Sequence, residues 1–225
     1  MGCHFPLGTY RQDGSPTYRP CGMCIGCKLE YSRQWAVRCT HESSLYKDNC
    51  FITLTYDDKN LPEDQSIHKS ELQNFIKRLR KHCEPNKIRY YGCGEYGAQL
   101  GRPHYHLCLF NYNFNDRKIF RYNGPTSKFN GKYRTGNNHS LYISKDLSKI
   151  WRKGFSTIGD MSFESAGYTA RYCTKKITGK WQSDHYKEKQ PEFALMSRRP
   201  GIGTEWLKKY LKDVYPKDYH TLNGV

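Results

Sequence analysis

Arg102-Pro103-His104-Tyr105-His106-Leu107-Cys108-Leu109-Phe110 is the stretch whose reading decides the fold. Leu107, Leu109 and Phe110 mark it as a strand, and Pro103 suits a strand start. Side chains alternate along a strand, so Tyr105, Leu107 and Leu109 share a core face while His104, His106 and Cys108 share the other. Upstream, Ile88 to Glu95 reads as a second strand, linked to the first by a short loop containing Gly97 and Gly101. A turn centred near residues 99–100 sets Glu95 across from 104–106, and such cross-strand neighbours lie about 5 Å apart. Two imidazoles and one carboxylate then converge, with coordination positions left open. That mixed donor set suits Mn2+ or Mg2+ better than a closed structural zinc site. The rival expectation is a surface ion pair between Glu95 and Arg102.

Working outward, Phe51-Ile52-Thr53-Leu54-Thr55-Tyr56 alternates and predicts a further strand, with Ile52 and Leu54 inward. Thr53 and Thr55 then lie on the histidine side, and with Arg102 they are candidates to line the site or contact its substrate. Leu72, Phe75, Ile76 and Leu79 follow helical spacing, which predicts a helix over 68–83 with Lys77, Arg78, Arg80 and Lys81 outward. A helix is also expected over 28–46. Residues 1–20 read as irregular, and 111–150 as a polar extended loop or insertion with one strand near 141–143. Residues 154–159 read as a short strand, and Thr204 is positioned to cap a last helix burying Trp206, Leu207, Tyr210, Leu211 and Val214. The expectation is an α+β fold: a central antiparallel sheet with helices packed on one face. It divides into a small Cys-rich N-terminal element over 1–27 and a main domain over 28–225.

Composition narrows the function. Lys and Arg number 37 against 21 Asp and Glu, a net charge of +16, and 19 Tyr, 10 Phe and 4 Trp are interleaved with the cations. Such an excess points to a polyanion, and aromatic rings among cations suit single-stranded nucleic acid, whose bases stack on them. No long apolar run and no basic amphipathic terminal helix supports a membrane partner. Met1 to Pro6 has no apolar signal-peptide core, and ten cysteines without a secretion signal read as reduced thiols in a cytoplasm. Six of them, Cys39, Cys50, Cys83, Cys93, Cys108 and Cys173, are scattered and read as buried small hydrophobes. Cys21, Cys24 and Cys27 form a double C-x-x-C and are candidate ligands for structural Zn2+. Cys3 is the candidate fourth ligand, with His4 and Cys39 as rivals.

A candidate nucleophile lies further on, in Tyr168-Thr169-Ala170-Arg171-Tyr172-Cys173-Thr174-Lys175-Lys176. Ser162 is placed as N-cap and Glu164 at the positive end of the dipole, so a helix is expected here. On it Tyr168, Tyr172 and Lys176 form one ridge, and Ala166, Ala170, Cys173 and Ile177 are left for packing. A tyrosine hydroxyl titrates near 10, so it acts as a nucleophile only beside a cation or a metal-polarised phosphate. The plainer expectation is that both tyrosines pack.

The His-hydrophobe-His strand followed by the Tyr-x-x-x-Tyr helix with lysine resembles the HUH endonucleases, in the two-tyrosine form of rolling-circle replication initiators. Segments 21–38, 51–62, 94–110, 151–176 and 193–203 resemble the gokushovirus-type microvirus replication initiators. The resemblance implies that Glu95, His104 and His106 hold the metal, Tyr168 and Tyr172 are the nucleophiles, and Lys175 or Lys176 is the motif lysine. It implies nicking of a single-stranded DNA origin through a 5′-phosphotyrosine, to initiate rolling-circle replication of a small phage genome. Host helicase and polymerase would be partners, and the host cytoplasm the location. The family continues past the region matching 215–225, so a C-terminally shortened chain is expected. Three rivals stand beside it: a non-catalytic basic nucleic-acid-binding protein, a hydrolase acting through metal-bound water, and a relaxase or transposase with another DNA target.

Overall fold

The computed structural model describes residues 2–97, 99–121, 127–129, 132–134, 140–171, 176–177, 179 and 182–215. In chain order the elements are β1 (Leu7–Tyr10), β2 (Pro16–Arg19), α1 (Ile25–Ser43), β3 (Asn49–Thr55), α2 (Lys69–Cys83) and β4 (Arg89–Tyr96). There follow β5 (Pro103–Phe110), β6 (Lys118–Arg121), β7 (Ser127–Phe129), β8 (Lys132–Arg134), β9 (Leu141–Ile143) and α3 (Lys145–Trp151). The last are β10 (Ser156–Gly159), α4 (Phe163–Ala170), α5 (Gln182–Tyr186), β11 (Phe193–Met196) and α6 (Thr204–Val214).

Seven strands form one sheet in the order β11-β4-β5-β3-β10-β9-β6, antiparallel throughout. The chain is therefore α+β, as expected. The β4–β5 hairpin sits near the centre, and its register pairs Glu95 with His104 and Tyr96 with Pro103. On the other side of β5, β3 pairs Thr53 with His106 and Thr55 with His104. Central placement matters, because a strand hydrogen-bonded on both edges holds its side chains at fixed height and spacing.

The expectation of helices on one face is corrected: they cover both. Ile52, Leu54, Tyr105, Leu107 and Leu109 pack with Leu72, Phe75, Ile76 and Leu79 of α2 and with Leu147, Ile150 and Trp151 of α3. Residues of the opposite parity, Cys93, Cys108 and Phe110, pack with Ala36 and Cys39 of α1, Ala166 and Ala170 of α4, and Ile202. The second layer escapes a hydrophobicity pattern because its helices present small side chains, which let backbones approach closely. α1 buries Gly26, Ser32, Ala36, Cys39, His41 and Glu42 rather than a leucine stripe. Its Ser32 Oγ donates to the carbonyl of Gly167 in α4 at 3.3 Å. Fully buried Glu42 accepts from Arg89 Nε of β4 and, at 2.7 Å, from the backbone N–H of Gly203. That pair ties α1 to the sheet and to the start of α6, and a buried carboxylate persists only with such partners.

Three other expectations change. The segment 111–150 contributes β6 and β9 to the main sheet and, through α3, Leu147 and Ile150 to the core. The predicted strand over 141–143 is β9. The N-terminal region holds a hairpin, β1 paired with β2. The final helix starts after Gly203 as N-cap rather than at a Thr204 cap, and Leu207 and Leu211 stay about half exposed. α6 docks through Trp206, stacked on His41 at 3.6 Å. Among the described residues, no helix is long and apolar enough to cross a membrane.

Candidate active site

β5 presents His104 and His106 from alternate positions on one face, with their rings 4.9 Å apart and edge-on. Glu95 enters from β4 and is 2% exposed. Its Oε1 lies 3.1 Å from His104 Nε2 and 3.4 Å from His106 Nε2. Each imidazole is oriented from behind. His104 Nδ1 lies 3.0 Å from the Arg102 carbonyl oxygen, and His106 Nδ1 lies 3.0 Å from Thr53 Oγ1. A carbonyl only accepts, so His104 Nδ1 carries the hydrogen and Nε2 turns its lone pair toward the carboxylate. At that separation a metal ion could be held between the imidazole nitrogen and the carboxylate oxygen. One ligand atom from each of Glu95, His104 and His106 fits within 4.8 Å of the others. Two imidazole nitrogens and an oxygen match the donor preferences of Mn2+ or Mg2+ bound with open positions.

α4 brings a phenol to this cluster. Its first turn is set by a capping box in which Ser162 Oγ accepts from Ser165 N at 3.2 Å and Ser162 N donates to Ser165 Oγ at 2.8 Å. Thr169 of the same helix meets Cys108 of β5 across the sheet, oxygen to sulfur 3.5 Å. One residue earlier, Tyr168 donates its hydroxyl to Glu95 Oε1 at 3.3 Å. Its ring stands edge-on to His106, with centroids 5.0 Å apart. Burial first, then the Glu95 carboxylate, push the Tyr168 hydroxyl up to about 12. Without a cation nearby this phenol is held neutral.

Four of the expected site residues, Glu95, His104, His106 and Tyr168, are thus brought together, and Thr53 supports them from behind. Thr55 is in register with His104. Arg102 makes no pair with Glu95: its Nη2 binds the Tyr56 carbonyl at 2.9 Å and Asp58 at 2.8 Å. What it gives the site is the backbone oxygen that orients His104. Tyr172 and Lys175 lie outside the described residues. Lys176 falls in irregular backbone rather than on the α4 ridge, and its carbonyl accepts from Lys28 Nζ of α1 at 2.9 Å. Phe51 was missed, although its position two before Thr53 puts it on the histidine side. Its ring stacks parallel to His106 at 5.6 Å and edge-on to Tyr168 at 6.4 Å. Beyond this cluster, a groove of about 870 Å³ is lined in part by Lys28, Tyr31, Lys69, Lys176 and Arg198.

Residues 49–177, from the first residue of β3 to just beyond α4, match the replication-associated protein ORF2/G2P family. The chain belongs to that family. Relatives include the replication-associated protein ORF2 of Spiroplasma virus 4, 36% identical over 88% of this chain and 60% of its own length. The replication-associated protein VP4 of Bdellovibrio phage phiMH2K is 33% identical over 91% of this chain and 62% of its own. The replication-associated protein ORF4 of Chlamydia phage 1 is 28% identical over 91% and 50%. The chain therefore spans about half to three fifths of the length of these relatives. No solved structure matches it.

Proposed function

We propose that this chain is a metal-dependent, site-specific single-strand DNA endonuclease and strand transferase that initiates rolling-circle replication of a small single-stranded-DNA phage genome. The observation that carries the reading is the meeting of Tyr168 with Glu95, 3.3 Å apart, where that same carboxylate oxygen faces both histidines. A metal triad alone would serve many hydrolases; a phenol on the same carboxylate favours a covalent enzyme. Membership of a family whose relatives are named as replication-associated supports the biological setting.

Glu95, His104 and His106 would hold Mn2+ or Mg2+. When bound, the ion supplies Lewis-acid neutralisation of charge developing on the scissile phosphate. The Tyr168 oxygen attacks phosphorus in line, a tyrosine O–P bond forms, and the P–O3′ bond breaks. The phenol proton passes to solvent, since the Glu95 oxygen it faces would be taken up by the metal, and the departing 3′-oxygen takes up one proton. The product is a 5′-phosphotyrosine and a free 3′-hydroxyl that primes synthesis. Because the phosphodiester energy is conserved, attack by a 3′-hydroxyl on the phosphotyrosine reseals the strand and frees the tyrosine. Tyr172 would serve as the second nucleophile after a round of copying by host helicase and polymerase. Lys175 or Lys176 would stabilise phenolate or phosphate charge. The basic groove with Tyr31 on its wall offers cations for the backbone and a ring for a base, which suits single-stranded DNA.

A labelled single strand from the cognate genome, incubated with Mn2+ and run on a denaturing gel, tests this. The wild type should give a covalent shift that Tyr168→Phe with Tyr172→Phe abolishes. A metal-dependent cut without any covalent species would instead mean hydrolysis by water.

A further inference from the structure

The N-terminal cysteines stand apart from this chemistry. Cys21 Sγ and Cys27 Sγ are 3.9 Å apart, Cys24 Sγ and Cys3 Sγ are 4.0 Å apart, and all four sulfurs lie within 4.8 Å of one another. Disulfide sulfurs would be about 2.05 Å apart. Tetrahedral zinc with Zn–S bonds of about 2.3 Å requires sulfur–sulfur edges of about 3.8 Å. The pairs at 3.9 and 4.0 Å match that edge, and the other sulfurs stay within 4.8 Å, close enough for a tetrathiolate shell to draw in. Backbone N–H groups already point at the sulfurs: Cys21 N at Cys3 Sγ (3.3 Å), Cys24 N at Cys21 Sγ (3.4 Å) and His4 N at Cys24 Sγ (3.4 Å). Such donors stabilise thiolate charge around a metal. The rivals for the fourth position separate cleanly, since Cys39 is fully buried in the core between α1 and the sheet, and His4 offers this cluster its backbone rather than its ring.

A second observation shows that this region needs a staple. Phe5, Tyr10, Tyr18 and Met23 are each at least 64% exposed, so the β1–β2 hairpin has almost no core of its own. A two-stranded hairpin without packing is marginal in water. Yet residues 2–4 are held tightly on α1: a Cβ on Gly26 would lie 2.2 Å from the Gly2 carbonyl oxygen. Only glycine permits that approach.

We propose that Cys3, Cys21, Cys24 and Cys27 bind one structural Zn2+ as a closed tetrathiolate site that staples the N-terminal hairpin to the start of α1. The same turn of α1 carries Lys28, whose ammonium holds the Lys176 carbonyl, so the staple also fixes the helix end that anchors the chain beyond α4. Such a closed site has no open position for substrate, so its role is structural, although Cys3 and Cys27 also line the basic groove.

The test is elemental analysis of full-length protein purified without chelator, with cobalt substitution as the second readout. The wild type should hold one zinc per chain, and the Co2+ form should show the spectrum of a tetrahedral tetrathiolate. Cys3→Ser should lose zinc, whereas His4→Ala and Cys39→Ser should retain it. If a cysteine variant fails to fold, mercurial titration of the wild type decides the matter, with one zinc released for every four ligand thiolates that bind mercury. Wild type without zinc, or zinc kept in Cys3→Ser and lost in His4→Ala, overturns the assignment. Zinc-free protein that still forms the DNA adduct would sink the staple alone; zinc-loaded protein that forms none would sink the nuclease reading alone.

Discussion

Thr53→Val is the most incisive perturbation of the candidate metal site, because it changes one atom behind a proposed ligand and leaves every proposed ligand in place. Thr53 Oγ1 lies 3.0 Å from His106 Nδ1. For Nε2 to serve as a metal donor, Nδ1 must carry the hydrogen and donate it to that hydroxyl oxygen. Valine keeps the branched shape and the strand preference of threonine but offers no acceptor. His106 is 5% exposed, so water has little access to replace the lost partner. Leaving a buried donor unsatisfied costs about 1–3 kcal/mol. Outer-shell partners of metal-bound histidine contribute about 10–100-fold in affinity, or about 1.4–2.7 kcal/mol. The two ranges overlap, and the expected outcome is Mn2+ affinity weakened about 10–100-fold, with Thr53→Ser close to wild type. Calorimetric Mn2+ titration, run beside denaturant unfolding to verify the fold, measures it. Unchanged Mn2+ affinity in a folded Thr53→Val protein would refute the orienting role and the ligand assignment of His106 behind it.

Two further predictions concern the scaffold and the phenol. Trp151 is fully buried against Tyr56, Phe75 and Tyr105, and its Nε1 donates to the Thr55 carbonyl at 3.0 Å, so Trp151→Ala should cost about 3–5 kcal/mol in denaturant unfolding; a loss well under that range would mean the core of β3, β5 and α3 is misplaced. In metal-free protein Tyr168 should titrate up to about 12, and because its folded value is raised, the stability it contributes is full below the ordinary tyrosine value near 10 and is lost as pH rises toward 12. The tyrosine ring-carbon resonance absent from Tyr168→Phe should report that titration, and Glu95→Gln should lower it; titration at an ordinary value would contradict the contact with Glu95.

Much of the site was legible because strands impose strict geometry. The alternation of 103–110 assigned the histidines to one face, and symmetry about residues 99–100 placed Glu95 beside them, which the register bears out with Glu95 opposite His104. Thr53 followed from the same parity argument, and Ser162 as a cap followed from local chemistry. What escaped was anything encoded by small residues or by tertiary contact. Gly26, Ser32, Ala36 and Cys39 of α1 and Ala166 and Ala170 of α4 build the second helix layer without a hydrophobic stripe, so the second covered face was invisible. Phe51 looked like part of an ordinary strand until His106 and Tyr168 were found against it. The apolar residues of α6 looked buried, but helical spacing reports amphipathicity and not whether a partner covers the face.

The central claim is that Tyr168 becomes covalently joined to DNA. Protein trapped on a cognate single-stranded oligonucleotide with Mn2+ can be digested with protease and nuclease and its peptides mapped by mass spectrometry. The account predicts a 5′-phosphonucleotide on Tyr168, with Tyr172 taking its place in the Tyr168→Phe variant, and no adduct in Glu95→Gln. An adduct on some other residue, or efficient metal-dependent cleavage with Tyr168 and Tyr172 both unmodified, would contradict it.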